Sequence, residues 1–493
     1  MEYFSTRDES RKVTASQAIA GGLAPDGGLY VPSELPKLSL DEIRELCAMD
    51  YRGRAARIIA KYMPEYSAEE ISAFVTAAYG DNFDDPAVAP LRFTDPDTAF
   101  LELWHGPTCA FKDMALQILP HFLTASLKKC GEERQVCILV ATSGDTGKAA
   151  LEGFADVPGT KILVFFPNDG VSDVQKLQMV TQSGKNVMVS AVYGNFDDAQ
   201  TGVKKIFGDR EFADELSKRG YFLSSANSIN WGRLLPQIVY YVSAYCDYVN
   251  SKNIALGDAI DFAVPTGNFG DILAGWYAKK MGLPAGRLIC CSNSNNVLTD
   301  FLHTGTYDRN RKFYTTISPS MDILVSSNLE RLLYALCGSD AQVSGYMKEL
   351  SQTGKYSVDN SIKAALAADF AAGFCSDRET KAAIGRMYKD RGYLMDTHTA
   401  VAYSVLDEYR SLMIRKTPTV VVSTASPFKF CDSVLSALGH GSDAPGTELI
   451  GELARVTGLA APSPLAGLAQ RQVRFTGCAQ KDALKQVVDE FLK

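Results

Sequence analysis

From about residue 98 onward the chain alternates short apolar runs with amphipathic stretches, and this alternation limits the fold more than any other feature. The runs at 99–104, 135–141, 161–167, 186–192, 259–264, 287–291 and 419–422 are rich in Val, Ile, Leu and Phe, and several lack polar alternation. Strands of that composition are buried on both faces, as in parallel sheets covered by helices. Helix-like stretches lie between them at 113–130, 146–154, 172–181, 231–249 and 269–281. Strand and helix in this repeated order predict an α/β protein, with an open, mostly parallel sheet flanked by helices.

The flanking regions read differently. Residues 40–63 and 68–79 have helical patterning and 27–32 a short strand after a turn, so 1–95 is expected to form a small α-rich N-terminal domain. A Pro/Asp-rich joint at 83–97 leads into the α/β region, 96–440. Within that region 328–393 is mostly helical and reads as an insertion. Three prolines and several glycines at 445–468 predict a loop before a last helix at 482–492, which makes 441–493 a C-terminal loop and helix.

Composition removes several classes of function. The 493 residues carry a net charge of -7, and phosphate neutralisation needs a basic footprint, so nucleic acid is not an expected partner. No apolar run approaches the ~18 residues that span a bilayer, and the first residues lack the apolar core of a secretory signal. The expectation is a cytoplasmic protein without a membrane partner. Eleven cysteines are spread along the chain, an odd number with no C-x-x-C spacing. Free thiols in a reducing compartment account for them. Five histidines show no zinc spacing, and no metal is expected.

Four strand-to-helix junctions hold the residues that could carry chemistry, and they are read as strand ends of one parallel sheet, where ligand crevices form. In the first, Gly106 and Pro107 turn the chain toward Lys112 at the start of a helix. The positive end of the helix and the apolar neighbours Cys109, Ala110, Phe111 and Met114 disfavour an ammonium there, which raises the neutral, nucleophilic fraction. A lysine that reaches solvent is the plain alternative. In the second, Thr142, Ser143, Gly144, Asp145 and Thr146 open a helix with exposed amides and hydroxyls, suited to a carboxylate or phosphate or simply to capping. In the third, Gly267, Asn268, Phe269, Gly270 and Asp271 follow a strand, and their amides can wrap a phosphate or merely make a turn. In the fourth, Ser423, Thr424 and Ser426 put hydroxyls at the end of a buried strand, for a ligand or for a cap.

These motifs, together with 3–8, 29–32, 105–113, 227–233 and 396–400, resemble the threonine synthase family over nearly the whole chain. Its members are pyridoxal-phosphate enzymes of fold type II, the tryptophan synthase β family, which implies open, mostly parallel sheets flanked by helices and two lobes within the catalytic region 96–440. The length and N-terminal region resemble the longer bacterial and fungal branch. The resemblance implies pyridoxal 5'-phosphate as cofactor, with Lys112 as the lysine that binds it covalently and acts in catalysis. It implies that Gly267, Asn268, Phe269, Gly270 and Asp271 surround the cofactor phosphate and ring edge, and that Thr424 bonds the pyridine nitrogen. Ser143, Asp145 and Thr146 would hold the substrate carboxylate, although this chain reads S-G-D-T where many relatives read S-G-N-T. The implied reaction is γ-elimination and β-hydration of O-phospho-L-homoserine to L-threonine and phosphate, the last step of threonine biosynthesis. A phospholyase that releases 2-oxobutyrate and ammonia, and a non-catalytic homologue, stand as alternatives. For the substrate phosphate, Lys148, Arg233 and Lys429 are candidates on charge alone, and a solvated surface position is the simpler reading for any one of them. The oligomeric state, monomer or dimer, is left open.

Overall fold

The computed structural model describes residues 1–142, 144–168, 171–414, 417–441, 444 and 446–493. The apolar runs form two sheets rather than one. The larger has six strands in the spatial order Phe370–Phe374, Ala285–Ser292, Ile260–Pro265, Thr419–Ser423, Thr98–Glu102 and Leu91–Asp95. All its neighbours are parallel except the last pair. The smaller has five parallel strands in the order Cys478–Gln480, Val187–Tyr193, Thr160–Pro167, Gln135–Ala141 and Tyr221–Ser224. The expected α/β architecture with flanking helices is therefore present, but the four junctions are divided. Three leave the larger sheet, and the Thr142–Thr146 junction leaves the smaller.

The first residues form a three-stranded antiparallel sheet beside the helices Ala15–Gly21, Leu40–Cys47, Tyr51–Tyr62 and Ala68–Ala78. Their apolar side chains share one core with the long helix Trp231–Asn250. Trp231 packs among Tyr3, Tyr62 and Tyr277, with ring centres 5.4 to 5.7 Å apart. This core fixes the start of the long helix, where Arg233 sits.

Four local readings change for identifiable reasons. The stretch 40–63 is two helices, because the Asp50 carboxylate caps the second by accepting from Gly53 N–H at 2.8 Å. The stretch 113–130 also divides, into Asp113–Leu116 and Leu119–Lys129. Pro120 lacks an N–H and its ring would strike a preceding carbonyl, so it starts a helix rather than continuing one. The expected loop at 445–468 holds the helices Gly446–Thr457 and Ser463–Ala466. Pro462 and Pro464 fall outside the longer helix, which buries Leu449, Ile450 and Leu453. The segment 328–393 is built into the body of the protein. It supplies the edge strand Phe370–Phe374, and its buried Arg331 donates to Tyr30 O at 3.0 Å and Ile229 O at 2.6 Å. Among the described residues no helix is long and apolar enough to cross a membrane.

Candidate active site

The loop carrying Lys112 is stitched to the neighbouring strand end. Leu103 N–H donates to Ser423 O at 3.0 Å, Phe111 N–H to Thr424 O at 2.8 Å and Ser426 N–H to Cys109 O at 3.1 Å. Cys109 takes a φ of 58° in this bend, which non-glycine residues seldom adopt. Asp113 braces it by accepting from Thr108 N–H at 2.8 Å and Thr108 Oγ1 at 2.7 Å. A Cβ at residue 106 would lie 2.6 Å from Asp113 Cβ, so that position must be glycine.

Lys112 stands at the helix start, 8% exposed, and does not reach solvent as a surface lysine would. Burial pushes its ammonium down to about 8; the charges of Arg233 and Lys429 add to this, and Asp145 and Asp271 oppose it. Its Nζ is 3.9 Å from Asp145 Oδ2 and 4.6 Å from the Phe111 ring centre. The result is a buried amine with a usable neutral fraction near neutral pH.

Asp145 joins the two sheets electrostatically. Its carboxylate accepts from Lys429 Nζ and from Gln175 Nε2, each at 2.8 Å. Burial alone would raise its pKa, but the Lys429 and Lys112 charges outweigh burial and hold it well below the carboxylate range. An anion paired in this way repels a second carboxylate, so the side chain of Asp145 is not a substrate-carboxylate donor. The backbone N–H groups of Asp145 and Thr146 remain, and they donate to no acceptor among the described residues. Thr142 Oγ1 shapes this turn by accepting from Gly144 N–H and Gly147 N–H at 3.0 and 2.9 Å. Ser143 lies outside the described residues.

The loop after Ile260–Pro265 is organised by its carbonyls. Gly267 O accepts from Ser326 Oγ at 2.8 Å, and Asn268 O from Asn328 N–H and Nδ2 at 3.0 and 3.1 Å. The N–H groups of Gly267, Asn268, Phe269 and Gly270 have no protein acceptor among the described residues. Phe269, at φ 64° and ψ 0°, is held in the left-handed region at the start of Gly270–Met281. Free amides at a helix N-terminus suit a phosphate. Gly267 needs to be glycine for a further reason: a Cβ would lie 2.6 Å from Ser320 O. At Gly270 a Cβ would come no closer than 3.4 Å to protein, so packing alone leaves room for alanine. Asp271 is tied into the core, where its Oδ1 accepts from Tyr240 and Tyr241 hydroxyls at 2.7 Å each, while Oδ2 is buried without a partner. Burial pushes it up to about 6 against these two hydrogen bonds and the Lys112 charge.

Thr424 is buried at the end of Thr419–Ser423, and its hydroxyl makes no hydrogen bond among the described residues. All three phosphate-pocket candidates prove to be buried, against the surface reading. Two of them are already neutralised: Lys429 by Asp145, and Lys148 by Glu152 at 2.7 Å with Gln182 as a further partner. Arg233 differs. Its Nη1 donates to Ala226 O at 2.9 Å, its Nε has no partner, and it makes no ion pair among the described residues. Burial lowers it to about 10, so it stays charged at neutral pH.

These residues fit pyridoxal phosphate: a buried amine, a loop of free amides and an unengaged hydroxyl are the donor set that an aldehyde, a phosphate and a ring nitrogen require. Sequence reading missed the parts that hold them in place, namely Gln175, Ser320, Ser326 and Asn328. Each belongs to a loop or helix start with no local signature. Asp396 and His398 fall in a quoted motif to which the sequence assigns no role.

Known proteins bear out the family. Three family models match: "Threonine synthase N terminus" at 2–79, "Pyridoxal-phosphate dependent enzyme" at 99–374 and "Threonine synthase, C-terminal" at 399–488. Threonine synthase of Pseudomonas aeruginosa is 39% identical over 478 residues, covering 97% of this chain and 95% of that protein. Human threonine synthase-like 1 is 42% identical over 456 residues, covering 88% of this chain; the chain spans 60% of the length of that relative. A crystal structure of pyridoxal-phosphate-bound threonine synthase from Brucella melitensis superimposes with a TM-score of 0.88 at 39% identity, covering 100% of this chain and 98% of the other. The free-amide loop, the buried amine and these matches converge, and the chain belongs to the threonine synthase family of pyridoxal-phosphate-dependent enzymes.

Proposed function

We propose that the protein acts as a threonine synthase, converting O-phospho-L-homoserine and water to L-threonine and inorganic phosphate. The observation that carries this reading is Arg233, a buried cation without a carboxylate among the described residues, close enough to depress the Lys112 ammonium. An unpaired buried charge is costly unless a ligand completes it, and a substrate phosphate would do so. The bound cofactor supplies an electron sink for negative charge at the substrate's Cα. Lys112 holds the cofactor through Nζ and, once released, takes the Cα proton as a neutral amine. A proton leaves Cβ as the phosphate held by Arg233 departs from Cγ; Cγ then takes a proton, water adds at Cβ and a proton returns to Cα. The N–H groups of Asp145 and Thr146 orient the carboxylate, those of Gly267–Gly270 hold the cofactor phosphate, and the Thr424 hydroxyl meets the ring nitrogen. Asp145, fixed by Lys429 and Gln175, keeps the substrate loop in register with Lys112.

Phosphate, threonine and 2-oxobutyrate measured together on O-phospho-L-homoserine test the proposal. Threonine and phosphate in equal amounts support it. Phosphate accompanied by 2-oxobutyrate would replace it with the phospholyase, and a colourless, inactive protein lacking absorbance near about 400 nm with a non-catalytic homologue.

Two further results are expected. Uptake of pyridoxal phosphate by cofactor-free protein requires neutral Lys112, whose ammonium is pushed down to about 8. The neutral fraction grows as pH rises, so the uptake rate should climb about tenfold per unit below that value and level off above it. Rapid-mixing absorbance across pH reads this directly, and a flat profile would remove Lys112 from the step. At the strand end, Thr424→Ser keeps the hydroxyl and should be mild. Thr424→Asp would hold a proton on the ring nitrogen and shift the product ratio from threonine toward side products. If the Asp variant matches wild type in spectrum and products, Thr424 does not meet the ring.

A further inference from the structure

His398 is nearly fully buried and takes no part in the chemistry above. Its Nε2 accepts from Ser320 N–H at 3.2 Å, and its Nδ1 donates to Asp396 Oδ2 at 2.8 Å. Because Nε2 accepts, the proton of the neutral ring is on Nδ1, and Asp396 holds that tautomer. Asp396 is itself fixed as the cap of Thr397–Ser411, accepting from His398 N–H at 2.8 Å and Thr399 N–H at 3.1 Å. The ring also packs edge-on against Phe430, with centres 4.9 Å apart.

Ser320 belongs to the strap that covers the Gly267–Gly270 loop. Its carbonyl lies 2.6 Å from where a Gly267 Cβ would stand. The strap is held at three places. Asp322 accepts from Asn293 Nδ2, Asn295 Nδ2 and Thr316 Oγ1 at 2.8 to 2.9 Å. Ser326 and Asn328 take the carbonyls of Gly267 and Asn268. Ahead of both in the chain, the Ser320 N–H rests on His398.

We propose that His398 is a positioning residue for the cofactor phosphate: by accepting the Ser320 N–H it holds the Ser320 carbonyl against Gly267 and so aims the loop's free amides. The proposal rests on the reading of Gly267–Gly270 as the phosphate cup. It predicts that what matters at 398 is an acceptor at the Nε2 position. In His398→Gln the side-chain oxygen can reach that position; in His398→Asn it reaches only the Nδ1 position, leaving the half-buried Ser320 N–H without its acceptor. Both lose the packing on Phe430, so their thermal stabilities should fall together.

The experiment measures dissociation of pyridoxal phosphate and of pyridoxal, which lacks the phosphate, from wild type, His398→Gln, His398→Asn and Gly270→Ala. His398→Asn should bind pyridoxal phosphate about tenfold more weakly with pyridoxal unchanged, and His398→Gln should stay within about twofold of wild type. Equal weakening in Gln and Asn, equal weakening for both probes, or an unaffected Asn variant overturns the role of His398. Gly270→Ala separates the two levels. If it loses phosphate preference while His398→Asn does not, the positioning proposal alone fails. If it keeps the preference, the phosphate-cup reading fails and the proposal with it.

Discussion

Lys112→Ala should lower turnover by about ten-thousand-fold or more while leaving the fold intact. The loss is large because, in the proposed function, one side chain serves twice, as the cofactor's covalent anchor and as the base at Cα. The fold should survive because the amine is a poor structural group. Burial disfavours its charge, and the nearest carboxylate, Asp145, keeps Lys429 and Gln175 when Lys112 is gone. Steady-state assay with thermal unfolding separates the two effects. Borohydride reduction of the holoprotein followed by peptide mapping locates the attachment, and label on any other lysine would refute the assignment. A variant that unfolds would instead make Lys112 part of the structural network around Asp145.

Arg233→Met should lower kcat/KM by about a hundred- to several thousand-fold. Breaking a buried charge pair costs about 3–5 kcal/mol, and about 1.4 kcal/mol is tenfold in rate. The same change should maintain or raise the melting temperature of the substrate-free protein. In that state the guanidinium is buried without a carboxylate and with Nε unsatisfied, so an apolar side chain of similar length removes a desolvation cost. Opposite signs for activity and stability mark a group held in strain for a ligand. A structural arginine gives the reverse, a falling melting temperature with kcat/KM little changed, and that outcome would move the substrate phosphate elsewhere.

In the two large sheets, the strands that sequence reading located are the central ones, and those it missed are edges. Ile260–Pro265 and Thr419–Ser423 are buried throughout, so their apolar runs are continuous and visible without any partner. Leu91–Asp95, Phe370–Phe374, Tyr221–Ser224 and Cys478–Gln480 stand at the four sheet edges, half exposed, and their composition reflects a neighbour on one side only. The assignment of the junctions to one sheet failed for a related cause. Strand patterning reports burial and not which strand lies alongside, so it cannot separate two sheets.

The same division runs through the site. Lys112, the Gly267–Gly270 loop and Thr424 were legible because each depends on local context: a strand end, a turn, a helix start, and a motif of several residues. The sequence by itself therefore determined the α/β class, the family and the candidate junctions. The tertiary structure decided the charge states and the supports. It paired Lys429 with Asp145 across 284 positions, neutralised Lys148 and left Arg233 without a carboxylate among the described residues. It also brought His398 to Ser320, 78 residues away, beside Gly267. A charge and a hydrogen bond take their energy from what lies within a few ångströms, and for residues distant in the chain only the folded packing sets those neighbours.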